Sequence, residues 1–215
     1  MTEGWRDEFR EELLGWYEAN GRSFPWRDDD ASFYEVFISE MFLRRTRADV
    51  VESFLPEFFA EYPDMDSLRQ AKVEELAEII RPMGLQNTRS KGLIELAEVL
   101  EGEDLPTESE ELLELPQVGP YVANATLCFA MEEQTPIVDR NVDRIYRRLL
   151  GEQWEGLPET ERWELADELL PQGKARSYNL ALLDFAAMVC TASDPDCESC
   201  FASGYCSYYR SESAD

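Results

Sequence analysis

Four cysteines crowd one short stretch near the C-terminus, spaced Cys190-x6-Cys197-x2-Cys200-x5-Cys206. Thiolates are the usual ligands of iron–sulfur clusters, and a [4Fe–4S] cube takes four of them. Gaps of these lengths let one compact loop wrap such a cube. A tetrahedral zinc site is the competing reading: Cys197-x2-Cys200 suits it, although a single tight quartet without histidine is less typical of a finger. Paired disulfides fit poorly, because Cys128 is left over and nothing marks the chain for export.

Acid–base chemistry has to come from elsewhere in the chain. There is no histidine at all, so proton transfer falls to Asp, Glu or Tyr. Two carboxylates stand out. Glu40 lies in Phe37-Ile38-Ser39-Glu40-Met41-Phe42, a charge among apolar residues, which is costly unless it faces a cavity or a partner. Asp139 directly precedes the amphipathic run Val142, Ile145, Tyr146, Leu149, Leu150, where it suits a helix cap. Between them, Leu115-Pro116-Gln117-Val118-Gly119-Pro120-Tyr121 reads as a tight hairpin with proline at a first helical position. Such a turn aims the N–H groups of Gln117, Val118 and Gly119 outward at a helix N-terminus, where a phosphate can sit. Arginines gather at Arg44, Arg45 and Arg47 and again at Arg140, Arg144, Arg147 and Arg148, against the acidic grain of the chain, a contrast that argues for phosphate contact, although Arg147 and Arg148 could equally pair with surface acids.

The elements that carry these residues are helical. Apolar residues recur at three and four positions in Val50, Val51, Phe54, Leu55, Phe58 and Phe59, and again in the run after Asp139. Further helices are predicted near 5–19, 31–44, 72–80, 88–101, 109–114, 120–131, 159–170 and 176–189, the last apolar on nearly every side and therefore buried. Breaks fall at Gly21–Pro25, Tyr62-Pro63-Asp64, Pro82-Met83-Gly84 and Gly102–Pro106. No strand of useful length emerges, so the fold class is all-α. Asp184, inside the most apolar helix, is expected to tie down a helix terminus, and Cys128 to be a core thiol.

Length permits one full core or two small ones across 215 residues. No apolar run reaches the ~20 residues of a membrane span, so a cytoplasmic location is expected. The net charge of −26 arises from 46 acids against 20 bases. The acids are spread along a chain rich in aromatics, which speaks against disorder and suits a very salty, halophilic cytoplasm. At ~1 M salt the Debye length is ~3 Å, so acidity does not exclude a nucleic-acid partner. It requires that binding rest on short-range contacts.

The hairpin resembles the helix-hairpin-helix motif L-P-G-V-G-x-x-T-A of the endonuclease III-like DNA glycosylase superfamily, with Gln117 in place of the first glycine and Val122 in place of threonine. Ile137-Val138-Asp139-Arg140-Asn141-Val142-Asp143-Arg144 resembles that superfamily's V-D-x-N/H-x-x-R signature. Phe37 to Thr46 is similar to the I-T-E-I-L-L-R-R-T stretch of archaeal thymine/uracil mismatch glycosylases, and Gly84-Leu85-Gln86-Asn87-Thr88-Arg89 to their G-L-x-N-x-R loop. Phe24-Pro25-Trp26-Arg27 resembles a further segment of the family, and the cysteine quartet follows in family order.

The resemblance implies two helical domains: a six-helix barrel with the hairpin over 28–136, and an iron–sulfur domain built from 1–27 and 137–215, with DNA binding across the cleft between them. It implies a [4Fe–4S] cluster on Cys190, Cys197, Cys200 and Cys206, catalytic roles for Asp139, Glu40 and Tyr121, and DNA contacts from Arg44, Arg45, Asn87, Arg89, Gln117, Val118, Gly119 and Asn141. Tyr121 occupies the position where strand-cleaving members carry a lysine. A tyrosine forms no imine, so a monofunctional glycosylase is expected, a monomer acting on double-stranded DNA with a mismatched or damaged base. Thymine or uracil opposite guanine is the first expectation, adenine opposite guanine or oxidised guanine the second. A non-catalytic helix-hairpin-helix DNA-binding protein is the alternative of a different class.

Overall fold

The computed structural model describes residues 4–212, and among them it is all-helical. In chain order the α-helices are α1 (Trp5–Asn20), α2 (Phe33–Leu43), α3 (Ala48–Glu61), α4 (Met65–Arg69), α5 (Val73–Ile79), α6 (Gln86–Val99) and α7 (Ser109–Glu114). They continue as α8 (Pro120–Met131), α9 (Arg140–Leu150), α10 (Glu152–Glu155), α11 (Glu159–Leu169), α12 (Ala175–Met188) and α13 (Ser207–Glu212). The chain divides into two compact units, one running Ser23–Met131 and the other joining the residues up to Arg22 to those from Glu132 onward. No helix among the described residues is long and apolar enough to cross a membrane.

The Ser23–Met131 unit contains α2 to α8. It begins a little before the boundary read from sequence because Phe24 and Trp26 stack on each other (centroids 4.7 Å apart) and belong to its core. Its centre is α2, apolar on most sides and buried from Val36 to Phe42, as a helix enclosed by others must be. Phe42 meets Phe54 and Phe58 of α3 edge-on, at 5.3 and 4.9 Å between ring centroids, and α8 packs along α2. The start of α2 is fixed by a capping box: the Ser32 hydroxyl accepts from Glu35 N–H, and the Glu35 carboxylate accepts from Ser32 N–H at 2.7 Å. Such a cap contributes about 1 kcal/mol. It sets the register that carries Glu40 into the interior.

The break read at Tyr62-Pro63-Asp64 is real, but α4 starts directly behind it. Asp64 accepts from Ser67 N–H at 2.8 Å and closes a second capping box. At five residues α4 is too short to show a period; α10 and α13, likewise absent from the sequence reading, have four and six residues.

The other unit packs α12 against α1 and α9, with α10 and α13 also on α9. As expected, α12 is buried along most of its length. Asp184 is fully buried within it; its carboxylate accepts from Arg22 N–H at 2.7 Å and from the Arg22 guanidinium at 2.8 and 2.7 Å. It thereby ties the chain just past the C-terminus of α1 to the middle of α12, the structural role expected of it. Removing one partner of a buried pair strands the other charge. Asp184→Ala should therefore cost about 3 kcal/mol in urea unfolding, the low end of the usual range because Arg22 is partly exposed.

Candidate active site and cysteine loop

In the Ser23–Met131 unit, the hairpin forms as the sequence implies. Val118 N–H bonds to Leu115 C=O at 3.2 Å, Pro120 opens α8, and Ala123 N–H reaches Gly119 C=O at 3.1 Å. Gln117 adopts φ +64°, the left-handed region that a glycine enters freely. Its carbonyl accepts from the Arg44 guanidinium. At the second residue of α8, the Tyr121 phenol donates to Glu40 Oε2 at 2.8 Å, and Glu40 is only 1% exposed. The structure thus brings together two of the residues singled out from the sequence. A buried carboxylate held by a phenolic donor has the fixed orientation that proton transfer requires.

Arg44, Arg45 and Arg89 crowd one another. Burial first, then Arg45, lowers the pKa of Arg44; burial first, then Arg44 and Arg45, lowers that of Arg89. In a chain of net charge −26, arginines held within range of other arginines make a positive patch with an appetite for anions. Arg47 is different: its guanidinium is spent on Asp49 at 3.0 and 2.9 Å. Two further non-glycine residues of this unit take left-handed φ beside these arginines in sequence, Arg45 at +63° and Leu85 at +52°. Leu85 caps the start of α6 with its side chain 75% exposed, and Asn87 is exposed one residue into the helix. Backbone strain of this kind collects at functional surfaces. The sequence named Leu85 as part of a motif yet gave no sign that it would protrude.

In the other unit, Asp139 is the N-cap of α9. Its Oδ1 accepts from Asn141 N–H at 2.7 Å and Val142 N–H at 2.8 Å, and its Oδ2 from Asn141 Nδ2 at 2.6 Å. Capping and orientation are one arrangement here, and the carboxylate stays half-exposed. The Asn141 side-chain Oδ1 accepts from Arg144 at 3.0 Å, and Arg144 also donates to Cys190 C=O at 3.1 Å and Ala186 C=O at 3.0 Å. A continuous path of hydrogen bonds therefore runs from Asp139 to the cysteine loop. The basic cluster read on α9 is largely committed internally: Arg147 pairs with Asp143 at 2.7 Å, and Arg148 donates to the carbonyls of Cys190, Thr191 and Ala192 while lying over the Tyr208 ring. Arg140 stays exposed.

All four cysteines line one open pocket, together with Phe9, Ile145, Leu149 and Phe185. Arg148 donates to Cys190 Sγ at 3.3 Å, and Cys206 Sγ donates to Arg148 C=O at 3.3 Å. Burial pushes the Cys200 thiol up to about 11, and raises those of Cys197 and Cys206 as well. Thiols in such surroundings become thiolates only against a cation, so the donor set and its apolar walls fit a metal centre. Among the described residues no group of three or more His, Cys, Asp or Glu side chains converges closely enough to hold a single metal ion. Cys128 lies apart as a fully buried core thiol.

Arg148→Ala removes charged donors from three loop carbonyls, a loss of about 2 kcal/mol. Hydrogen exchange should report it as faster exchange confined to residues 190–206, with α2 to α8 unchanged.

Comparison with known proteins places this geometry in context. A model of the HhH-GPD superfamily base excision DNA repair protein matches residues 38–170. The chain is 36% identical to the thymine/uracil-DNA glycosylase of Methanothermobacter thermautotrophicus over 95% of each chain. It is 28% identical to the adenine DNA glycosylase of Buchnera aphidicola over 94% of this chain and 60% of that one. A solved thermostable thymine-DNA glycosylase superposes with a TM-score of 0.90 at 36% identity, covering 96% of this chain and 97% of the other. An endonuclease III–DNA covalent intermediate, at 20% identity and a TM-score of 0.86, shares the fold.

Proposed function

Because this chain belongs to the HhH-GPD superfamily of base excision DNA repair proteins, we propose that it is a monofunctional DNA glycosylase that removes thymine or uracil paired with guanine. The hydrogen bond from the half-buried Tyr121 to the buried Glu40 is the observation that carries this reading. A tyrosine stands where an amine nucleophile would be needed for strand cleavage, and the carboxylate beneath it is held ready for acid–base work.

Breaking the N-glycosidic bond builds positive charge on the sugar, as in glycoside hydrolysis. The Asp139 carboxylate, immobilised by three hydrogen bonds, stabilises that charge at C1′ without reorganising. Glu40 protonates the departing base or orients water. Water then completes the sugar and leaves an abasic site. To reach these groups the nucleotide leaves the stack. Leu85, protruding and apolar, suits the role of a wedge in the vacated stack, and Arg44, Arg45 and Arg89 offer charge to phosphates, with Asn87, Asn141 and the N–H groups of Gln117 and Gly119 completing the contacts; the Val118 N–H, expected from the sequence to join them, is already bonded to Leu115 C=O.

The cysteine loop holds a [4Fe–4S] cluster through Cys190, Cys197, Cys200 and Cys206. The four cysteines line one pocket, and each would supply one thiolate to the cluster. When bound, the cluster supplies iron–thiolate bonds that staple residues 190–206. Chemical assay of iron and sulfide in the purified protein tests this, and stoichiometric zinc in their place would overturn it. The enzyme works as a monomer in a cytoplasm of high salt, to which its acidic surface is suited.

A high-salt incubation with duplexes carrying G·T, G·U, A·G and adenine opposite oxidised guanine, developed with alkali, should reveal abasic sites on the first two. Cleavage without alkali would contradict the monofunctional reading. Release of adenine alone would establish the second reading, which similarity to adenine glycosylases supports.

Asp139→Asn keeps an oxygen for the cap but loses the charge. Base release should fall about 10³-fold while binding to the mismatched duplex persists; activity within a few fold of the parent would sink the mechanism. Leu85→Ala should slow release about tenfold by removing the wedge, with less effect on a single-stranded substrate whose base is already unstacked.

A further inference from the structure

Gly92 lies in the interior of α6, buried, with a helical backbone that makes no demand for glycine. Helix propensity argues against glycine at such a place. Its neighbour supplies the reason. A Cβ at position 92 would fall 2.7 Å from Gln117 Cδ and 2.9 Å from Oε1, and closer still to Nε2. The Gln117 amide is therefore seated directly on the α6 backbone, in a notch that only glycine leaves open. Gln117 is also the hairpin residue with left-handed φ, and its carbonyl is the acceptor for Arg44. At this position the resembling motif has a glycine, which needs no support to hold such a φ.

We propose that Gln117 and Gly92 form a reciprocal lock that replaces the hairpin glycine: the side chain docked on α6 and the Arg44 bond to the carbonyl hold the turn in the geometry that presents its N–H groups to DNA. Gln117 is a positioning residue in this scheme, and Gly92, which touches no substrate, is its socket. Arg44 contributes as a brace on the turn as well as through its charge. The inference rests on the DNA-binding reading above.

A double-mutant cycle in the full-length protein tests it, with a duplex carrying a tetrahydrofuran abasic analogue as the binding probe. The atoms that an alanine methyl at 92 would displace are the far end of a flexible side chain, and alanine is the better helix former. Gly92→Ala should thus leave the thermal midpoint unchanged or raised. It should weaken duplex binding about tenfold in the parent, yet by less than about twofold in the Gln117→Gly background, a coupling of the size seen between contacting residues. Hydrogen exchange of the Val118 N–H without DNA should follow the same pattern, losing protection on Gly92→Ala only while Gln117 is present.

Equal effects of Gly92→Ala in both backgrounds, or none in either, would overturn the lock. Coupling in exchange without coupling in binding would overturn its positioning role. If Gly92→Ala does not fold, Gln117→Ala against Gln117→Gly decides: alanine, with neither the docked amide nor glycine's freedom at positive φ, should exchange faster, and equality would overturn the proposal. Should the parent protein fail to bind the duplex, the functional reading falls, while the exchange cycle still decides whether the lock exists.

Discussion

In the function proposed for this chain, the chemistry depends on the N-cap of α9. A carboxylate steadies a nascent cation only if it remains charged and stays still, and those demands conflict in most side-chain surroundings. Asp139 is held still by accepting two backbone N–H groups and one amide. Helix α9 could not begin so sharply without it, and Asp139 could not be held without α9. The same helix then reaches the cysteine loop through Arg144 and Arg148, so the anchoring of one carboxylate extends into the segment most in need of external ordering.

A different solution serves Glu40. It is a charge in the middle of an apolar helix, tolerated because α8 brings a phenol to it. The position of α8 is set in turn by the hairpin, and the hairpin by contacts to α2 and α6 through Arg44 and Gly92. Core packing of Phe42, Phe54 and Phe58 gives these loops a rigid platform, against which strained residues such as Arg45 and Leu85 can be held.

Much of this was legible in the sequence where a signal was long or chemically sharp. Helices α7 and α8 fall on the predicted 109–114 and 120–131, because Pro120 and the flanking turn leave little freedom at their boundaries. Asp139 as a cap, Glu40 as an interior charge and the cysteine loop were visible from residue type and position. What escaped notice depends on distant contacts. Arg148 looked like a phosphate ligand or a partner for surface acids, but its guanidinium turns to loop carbonyls and a sulfur. Gly92 carried no sequence signal, since nothing local marks a glycine as the seat of a side chain from another segment. The protrusion of Leu85 depends on a backbone angle that its neighbours impose.

The arginine patch also bears on the ionic atmosphere of the bound nucleic acid. Arg44, Arg45 and Arg89 lie within range of one another, and each neutralised phosphate sets free about one condensed counterion, giving a logarithmic slope of about −0.9 per contact. With three such contacts the affinity would decline only gently as salt rises, compared with proteins that grip the backbone through many cations. A chain that carries so few cations to the duplex has correspondingly little to lose when the surrounding brine becomes concentrated.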